Sequence, residues 1–141
     1  MIFILLIGCT IQGQLWNYQF DFPYGNEIQT VYDSYLWVFV NTTYQEDIDG
    51  EWKTPEETYN DRGGDCEDLA ILMMYLCYQY AGQTPTMLEI DLNGKRHMVV
   101  EVDSKLYDPK GPISGDIQDL EYRILNSYTY GEAMYLAVYV K

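Results

Sequence analysis

The chain alternates between stretches with helical and with strand-like spacing of apolar residues. Over residues 27–40 (EIQTVYDSYLWVFV), Ile28, Val31, Tyr32, Tyr35, Leu36 and Phe39 recur on one helical face, which predicts a helix ending near Asn41. Residues 42–53 are polar and acidic and read as a loop. Thr54-Pro55-Glu56-Glu57 has the order of a helix start: a side-chain cap, a proline at the first position, and a glutamate three residues after the cap. Gly63 and Gly64 keep that helix short. From Cys66 the chain reads CEDLAILMMYLCYQYAG, with Leu69, Leu72, Met73, Leu76, Cys77 and Tyr80 at successive helical offsets. This predicts an amphipathic helix with one buried stripe, stopped at Gly82. Three residues back from Leu69, the stripe reaches Cys66, which places that cysteine at the helix N-terminus on the core side.

Two strand-like runs follow, 86–91 (TMLEID) and 96–102 (RHMVVEV), separated by Leu92-Asn93-Gly94-Lys95. Asn-Gly between such runs is a strong signal for a hairpin with a two-residue loop. The register that results pairs Leu92 with Lys95, Ile90 with His97 and Leu88 with Val99. His97 then shares an apolar face with Leu88, Ile90 and Val99, which is expected to be the side covered by the cysteine-bearing helix. A second two-residue turn at Asp103-Ser104 would pair Asp108 with Val99 and leave it diagonal to His97 on the same face. The remainder reads as an acidic loop and a final strand over 134–140 (MYLAVYV).

The 141 residues suit one domain with a modest core. With 22 acidic and 8 basic residues, the formal charge is −14, which disfavours nucleic acid and anionic membrane surfaces. The acidity is scattered, as on a solvated surface; cationic ligands, calcium among them, are the sharper alternative. The three cysteines, Cys9, Cys66 and Cys77, make no disulfide framework. Residues 2–7 (IFILLI) are too few to span a bilayer, but Leu6-Ile7-Gly8-Cys9 resembles the lipobox of bacterial lipoproteins, in which the cysteine is lipidated. Residues 1–9 are therefore expected to be a lipoprotein signal segment, the alternative being a buried first strand. Residues 10–25 are expected to form a tether or extended arm, and 26–141 the folded domain.

The candidate chemistry lies at Cys66, His97 and Asp108. A thiolate at a helix N-terminus is favoured by the dipole and the free amides. A histidine on the facing strand can take the thiol proton, and an aspartate can fix the imidazole tautomer. The Cys66 N–H, pointing out of the helix start, can serve as an oxyanion donor. Each residue also has a plainer role: core filler, hydrogen-bonded core histidine, turn aspartate. Cys66 sits among Gly63-Gly64-Asp65 and Glu67-Asp68, poor company for a core filler, whereas Cys77 lies within the apolar stripe and reads as core. His97 is the one histidine in the chain, so no other imidazole base is available.

WKTPEETYNDRGGDCEDLAILMMYLCYQYAG, then RHMVVEV, then LYDP, resembles the bacterial transglutaminase-like cysteine proteinases and the wider transglutaminase-like superfamily. The resemblance covers residues 52–109 closely and 27–51 loosely. It implies an α+β, papain-like core: a cysteine-bearing helix packed on an antiparallel sheet that carries the histidine and the aspartate. It implies Cys66 as nucleophile, His97 as base and Asp108 as orienting acid, acting on protein or peptide amides through a thioester. Some bacterial members bind calcium through acidic residues beside the cysteine, positions matched by Asp65 and Glu67; helix capping accounts for the same two residues. Trp52 is expected to pack rather than to act. No cofactor is required by this chemistry.

Hydrolysis and transfer to an amine share the same triad, so cysteine peptidase (or amidase) and transglutaminase both stand. A non-catalytic binding module on the same fold is the reading from another class. A zinc site is disfavoured, since one histidine and one thiolate fall short of three or four ligands. A lipidated Cys9 would place the protein in a bacterial cell envelope; without it the cytoplasm is the expectation.

Overall fold

The computed structural model describes residues 17–46, 50–111 and 121–141. The lipobox expectation at Cys9 and most of the acidic loop lie outside these residues. The fold is α+β, and its centre is helix α3 (Cys66–Tyr80). Every residue from Asp68 through Cys77 is buried. The sequence suggested a stripe, but Ala70, Ile71, Met74 and Tyr75 on the other faces are buried as completely as Leu69 and Leu72. A helix apolar all round belongs inside a domain, with neighbours on every side.

Those neighbours come from most of the chain. Helix α1 (Val31–Asn41) lies against α3, buries Tyr35, Trp37 and Val38, and starts with a capping box between Thr30 and Asp33. Helix α2 (Pro55–Asp61) has the expected start: Thr54 caps it, Pro55 opens it and Glu57 closes the box. The helix ends on Arg62 in the left-handed conformation (φ 53°), whose guanidinium lies 4.4 Å from the ring centre of Tyr59 and 5.3 Å from that of Trp37. The arm before α1 is packed down. Phe22 is buried among Tyr24, Trp37, Tyr59 and Tyr80, and the Phe20 N–H donates to the Tyr75 hydroxyl at 3.1 Å. One turn further along α3, Gln79 donates to the Tyr18 carbonyl at 3.2 Å.

The main sheet is antiparallel. Its strands β3 (Thr86–Leu92), β4 (Lys95–Val102), β5 (Lys105–Tyr107) and β6 (Arg123–Thr129) lie in the order β5-β4-β3-β6. The Asn93-Gly94 hairpin holds the expected register: Leu92 pairs with Lys95, Ile90 with His97 and Leu88 with Val99. Asn93 and Gly94 both have positive φ, and so do Asp103 and Ser104 in the next turn, as a two-residue hairpin loop of this hand requires. A short parallel ladder joins β1 (Thr43–Tyr44) to β2 (Gly63–Gly64). Only glycine fits β2: a Cβ on Gly63 would sit 2.6 Å from the Thr43 carbonyl, and one on Gly64 would sit 2.5 Å from the Asp68 Cβ.

Two expectations are corrected. The apolar face shared by Leu88, Ile90 and Val99 forms a separate cluster with Leu106, while α3 packs on the other face, against Met87, Met98, Val100 and Val102. Leu88 and Met87 are both apolar, so alternation does not tell the two faces apart. The expected final strand 134–140 is instead helix α4 (Tyr130–Tyr139), and the strand precedes it as β6. Thr129 caps α4 by accepting the Glu132 N–H, and Ala133, Met134 and Ala137 face the core.

The packed arm gives a stability prediction. Phe22→Ala should cost about 3 kcal/mol, the range for a large buried aromatic. Urea denaturation checks it; a cost under about 0.5 kcal/mol, ordinary for a surface site, would mean the arm is dispensable.

Candidate active site

Asp65 is the N-cap of α3, and Cys66 is its first residue. Asp65 Oδ1 accepts the Asp68 N–H at 3.2 Å, while Asp68 Oδ2 accepts the Asp65 N–H at 3.1 Å. Asp68 is fully buried, and its Oδ1 also accepts the Lys53 N–H at 2.8 Å. One carboxylate thus ties the Trp52-Lys53 loop to the turn that carries the cysteine. Burial raises the Asp68 pKa to about 7 and Asp65 adds to the rise, while the Lys53 N–H pulls it down. Trp52 packs edge-on against Tyr128, consistent with a packing role.

His97 is the third residue of β4, with its side chain 16% exposed. Its Nε2 lies 2.7 Å from Asp108 Oδ2. The other oxygen, Oδ1, accepts the Lys110 N–H at 3.0 Å, and the Asp108 carbonyl accepts the Gly111 N–H at 3.2 Å. Tyr35 of α1 fastens this turn by donating to the Gly111 carbonyl at 2.9 Å. Asp108 is both the turn residue and the partner of His97, one oxygen for each.

Cys66 and His97 line one cavity of about 180 Å³, together with Glu67, Glu89, Arg96 and Met98. β5 ends at Tyr107, opposite Val100, which leaves the edge of β4 at His97 and Met98 open to the N-terminus of α3. His97 thus lines the same cavity as Cys66, although its strand face is turned from α3. The three expected residues fall in one place.

The thiol itself departs from expectation. Cys66 Sγ donates to Glu67 Oε2 at 3.3 Å. Burial, with the Glu67 charge and this hydrogen bond, pushes the thiol up to about 12, against a smaller opposing pull from the Met98 N–H. A helix N-terminus contributes up to about 2 kcal/mol at a partly buried site, about one and a half pKa units, and is outweighed here. Glu67 is itself raised, by burial first and then by its hydrogen bond with Asp65. Asp65 and Glu67 are thus close together, and a hard cation favours such a pair. Among the described residues no group of three or more histidine, cysteine or carboxylate side chains is gathered for a metal, so a cation here would have only these two as side-chain ligands. Cys77 is buried and its thiol is also raised to about 12, as befits a core residue.

Some residues of the site carried no sequence signal. Tyr44 stands on β1, opposite Gly64, where burial raises its phenol first and the nearby Cys66 adds to the rise. Lys110 Nζ lies 4.0 Å from the centre of the Tyr44 ring. Glu89 and Arg96 form an ion pair at the cavity.

No family model matches the chain, and no curated protein matches it. Solved structures do. LapG of Legionella pneumophila superposes with a TM-score of 0.58 at 24% identity, covering 84% of this chain and 82% of LapG. Its EGTA-treated form gives 0.58 at 24% identity, covering 84% of this chain and 80% of LapG. Its calcium-bound form gives 0.59 at 21%, covering 84% and 82%. The shared feature is the fold: helices on an antiparallel sheet, the α+β core that the sequence implied.

Removing the carboxylate beside the thiol should release it. In Glu67→Gln the thiol pKa falls, because the charge that raises it is gone. Alkylation of Cys66 by iodoacetamide at pH 8 should then speed up about tenfold or more, one pKa unit being one decade of thiolate. An unchanged or slower rate, read by mass mapping, would show that Glu67 does not control the thiol.

Proposed function

We propose that this protein is a cysteine peptidase or amidase, with Cys66 as nucleophile, His97 as base and Asp108 as orienting acid. The observation that carries the reading is the 2.7 Å contact between His97 Nε2 and Asp108 Oδ2, at a histidine lining one cavity with Cys66. Asp108 engages Nε2 and leaves Nδ1 for the thiol. In the reaction, Sγ turns from Glu67 to His97 and gives up its proton to Nδ1. The thiolate attacks the amide carbonyl carbon, the C–N bond breaks, and the amine leaves with the proton from His97. Water, deprotonated by His97, then cleaves the thioester, freeing the acid and restoring the thiol. The Cys66 N–H, at the first residue of α3, would donate to the carbonyl oxygen as it becomes an oxyanion.

Asparagine at 108 provides the sharpest test. Asp108→Asn can keep its Oδ1 on the Lys110 N–H, so the turn survives. Its amide then donates to Nε2, forcing the proton onto Nδ1, where no base remains for the thiol. Turnover of a peptide substrate should fall by up to about 10⁴-fold, the loss in an analogous serine triad. Cys66→Ala should abolish it. Near-normal turnover in a folded Asp108→Asn variant would remove Asp108 from the mechanism.

LapG has been solved both calcium-bound and EGTA-treated. For this chain we propose that a calcium ion would be held by Asp65 and Glu67, completed by backbone oxygens or water, and would draw Glu67 off the thiol. Calcium should then raise Tm relative to EGTA, and Asp65→Asn should remove that shift; equal Tm in both would exclude the site. A lipidated Cys9 would hold the enzyme in a bacterial envelope, in which case Cys9→Ala should free it from the membrane fraction.

A further inference from the structure

The cavity beside Cys66 holds a second charged pair that the proposed mechanism does not use. Glu89 lies in the centre of β3 and is 4% exposed, on the strand face that packs toward α3. Its partner, Arg96, comes from the neighbouring strand with its side chain 74% exposed. Arg96 Nε donates to Glu89 Oε1 at 2.9 Å, and its NH2 group goes to the same oxygen. Neither bond uses Oε2. A guanidinium that engages a carboxylate through both oxygens forms the stronger, forked pair. Here one oxygen takes both donors and the cation hangs mostly in solvent, while the buried carboxylate stands at the wall of a cavity that also holds the thiol. Glu67 adds a second carboxylate to that wall, so the lining carries more negative than positive charge.

We infer that this cavity is a subsite for a cationic side chain, lysine or arginine, on the peptide residue next to the amide that Cys66 attacks. Arg96 occupies it in the free protein, as a built-in stand-in for the substrate's charge. An incoming ammonium or guanidinium takes Oε2 of Glu89 and keeps the buried carboxylate paired while Arg96, already mostly solvated, swings outward. The inference names the substrate class for the proposed amide chemistry and rests on that reading.

Protection of Cys66 tests it without relying on turnover. The full chain is alkylated with iodoacetamide, an uncharged reagent, in the presence of capped pentapeptides that differ only in a central Lys, norleucine or Glu. The Lys peptide should protect Cys66 with saturation, at least about tenfold better than norleucine, and the Glu peptide should not protect. Glu89→Gln should erase the advantage of Lys, and Arg96→Ala should strengthen protection by Lys several-fold. A purely structural ion pair would instead make both variants fail alike. Equal protection by all three peptides overturns the subsite; best protection by the Glu peptide assigns Arg96 as a reader of carboxylates and overturns it too. If Glu89→Gln does not fold, the direction of the Arg96→Ala effect decides alone. Mass spectrometry of the same mixtures separates the two readings. A Lys peptide that protects but is never cut removes the amide chemistry and leaves the subsite. Peptides cut without regard to charge leave the chemistry and remove the subsite.

Discussion

Everything in this fold depends on burying α3 on all sides while leaving its first residue reachable. From Asp68 to Cys77 the helix meets only protein. Its first residue, Cys66, nevertheless lines a cavity. The solution is a collar of short elements around the N-terminus: the Lys53 loop, the two-glycine strand β2 and the open edge of β4. Each is fixed by a backbone hydrogen bond or by a contact too close for a side chain. The Lys53 N–H ends on Asp68, and Gly64 stacks against the Asp68 Cβ. Asp68 is the knot of this collar. A carboxylate so deeply buried is tolerated because two backbone N–H groups satisfy it.

The same burial sets the electrostatics of the site. Removing the thiol from water disfavours its charged form, and the adjacent Glu67 disfavours it further. The helix dipole favours the thiolate but is a smaller effect at this range. A resting thiol held by a carboxylate is a poor nucleophile, because the thiolate is the reactive form. The sequence showed Asp65 and Glu67 beside the cysteine, but whether they capped the helix or touched the thiol depended on rotamers that spacing does not encode. Asp65 caps the helix; Glu67 touches the thiol.

Local chemistry in the sequence was readable where a turn or a cap determined it. Asn93-Gly94 fixed a two-residue loop, and with it the pairing of Ile90 with His97. Thr54, Pro55 and Glu57 fixed the start of α2. The failures lie where pattern is ambiguous. Residues 134–140 (MYLAVYV) are rich in β-formers, yet they form a helix, because Thr129 and Glu132 supply a cap and the core takes Ala133, Met134 and Ala137. Strand β6 shows little apolar alternation; it is a mostly exposed edge strand whose place comes from pairing with β3. Which face of the hairpin meets α3 was undecidable from alternation, since Leu88 on one face and Met87 on the other are equally apolar. Tyr44 and Lys110 were invisible because their meeting is set by tertiary structure alone.

That meeting bears on how the two halves of the site stay in register. The cysteine belongs to the helical side and the histidine to the sheet. Asp108 follows the last residue of β5, at the start of a turn with few buried apolar groups of its own. Two contacts fasten this turn back to the helical side: the Tyr35 hydroxyl on the Gly111 carbonyl, and Lys110 over the Tyr44 ring. Tyr35 is fully buried, so its bond is rigid, whereas Tyr44 is exposed and its contact with a lysine is worth about 0.5–1 kcal/mol. The first contact sets where Asp108 stands. The second is weaker and sits on an exposed ring, so the position of the carboxylate that holds His97 depends on the buried tyrosine and little on the lysine.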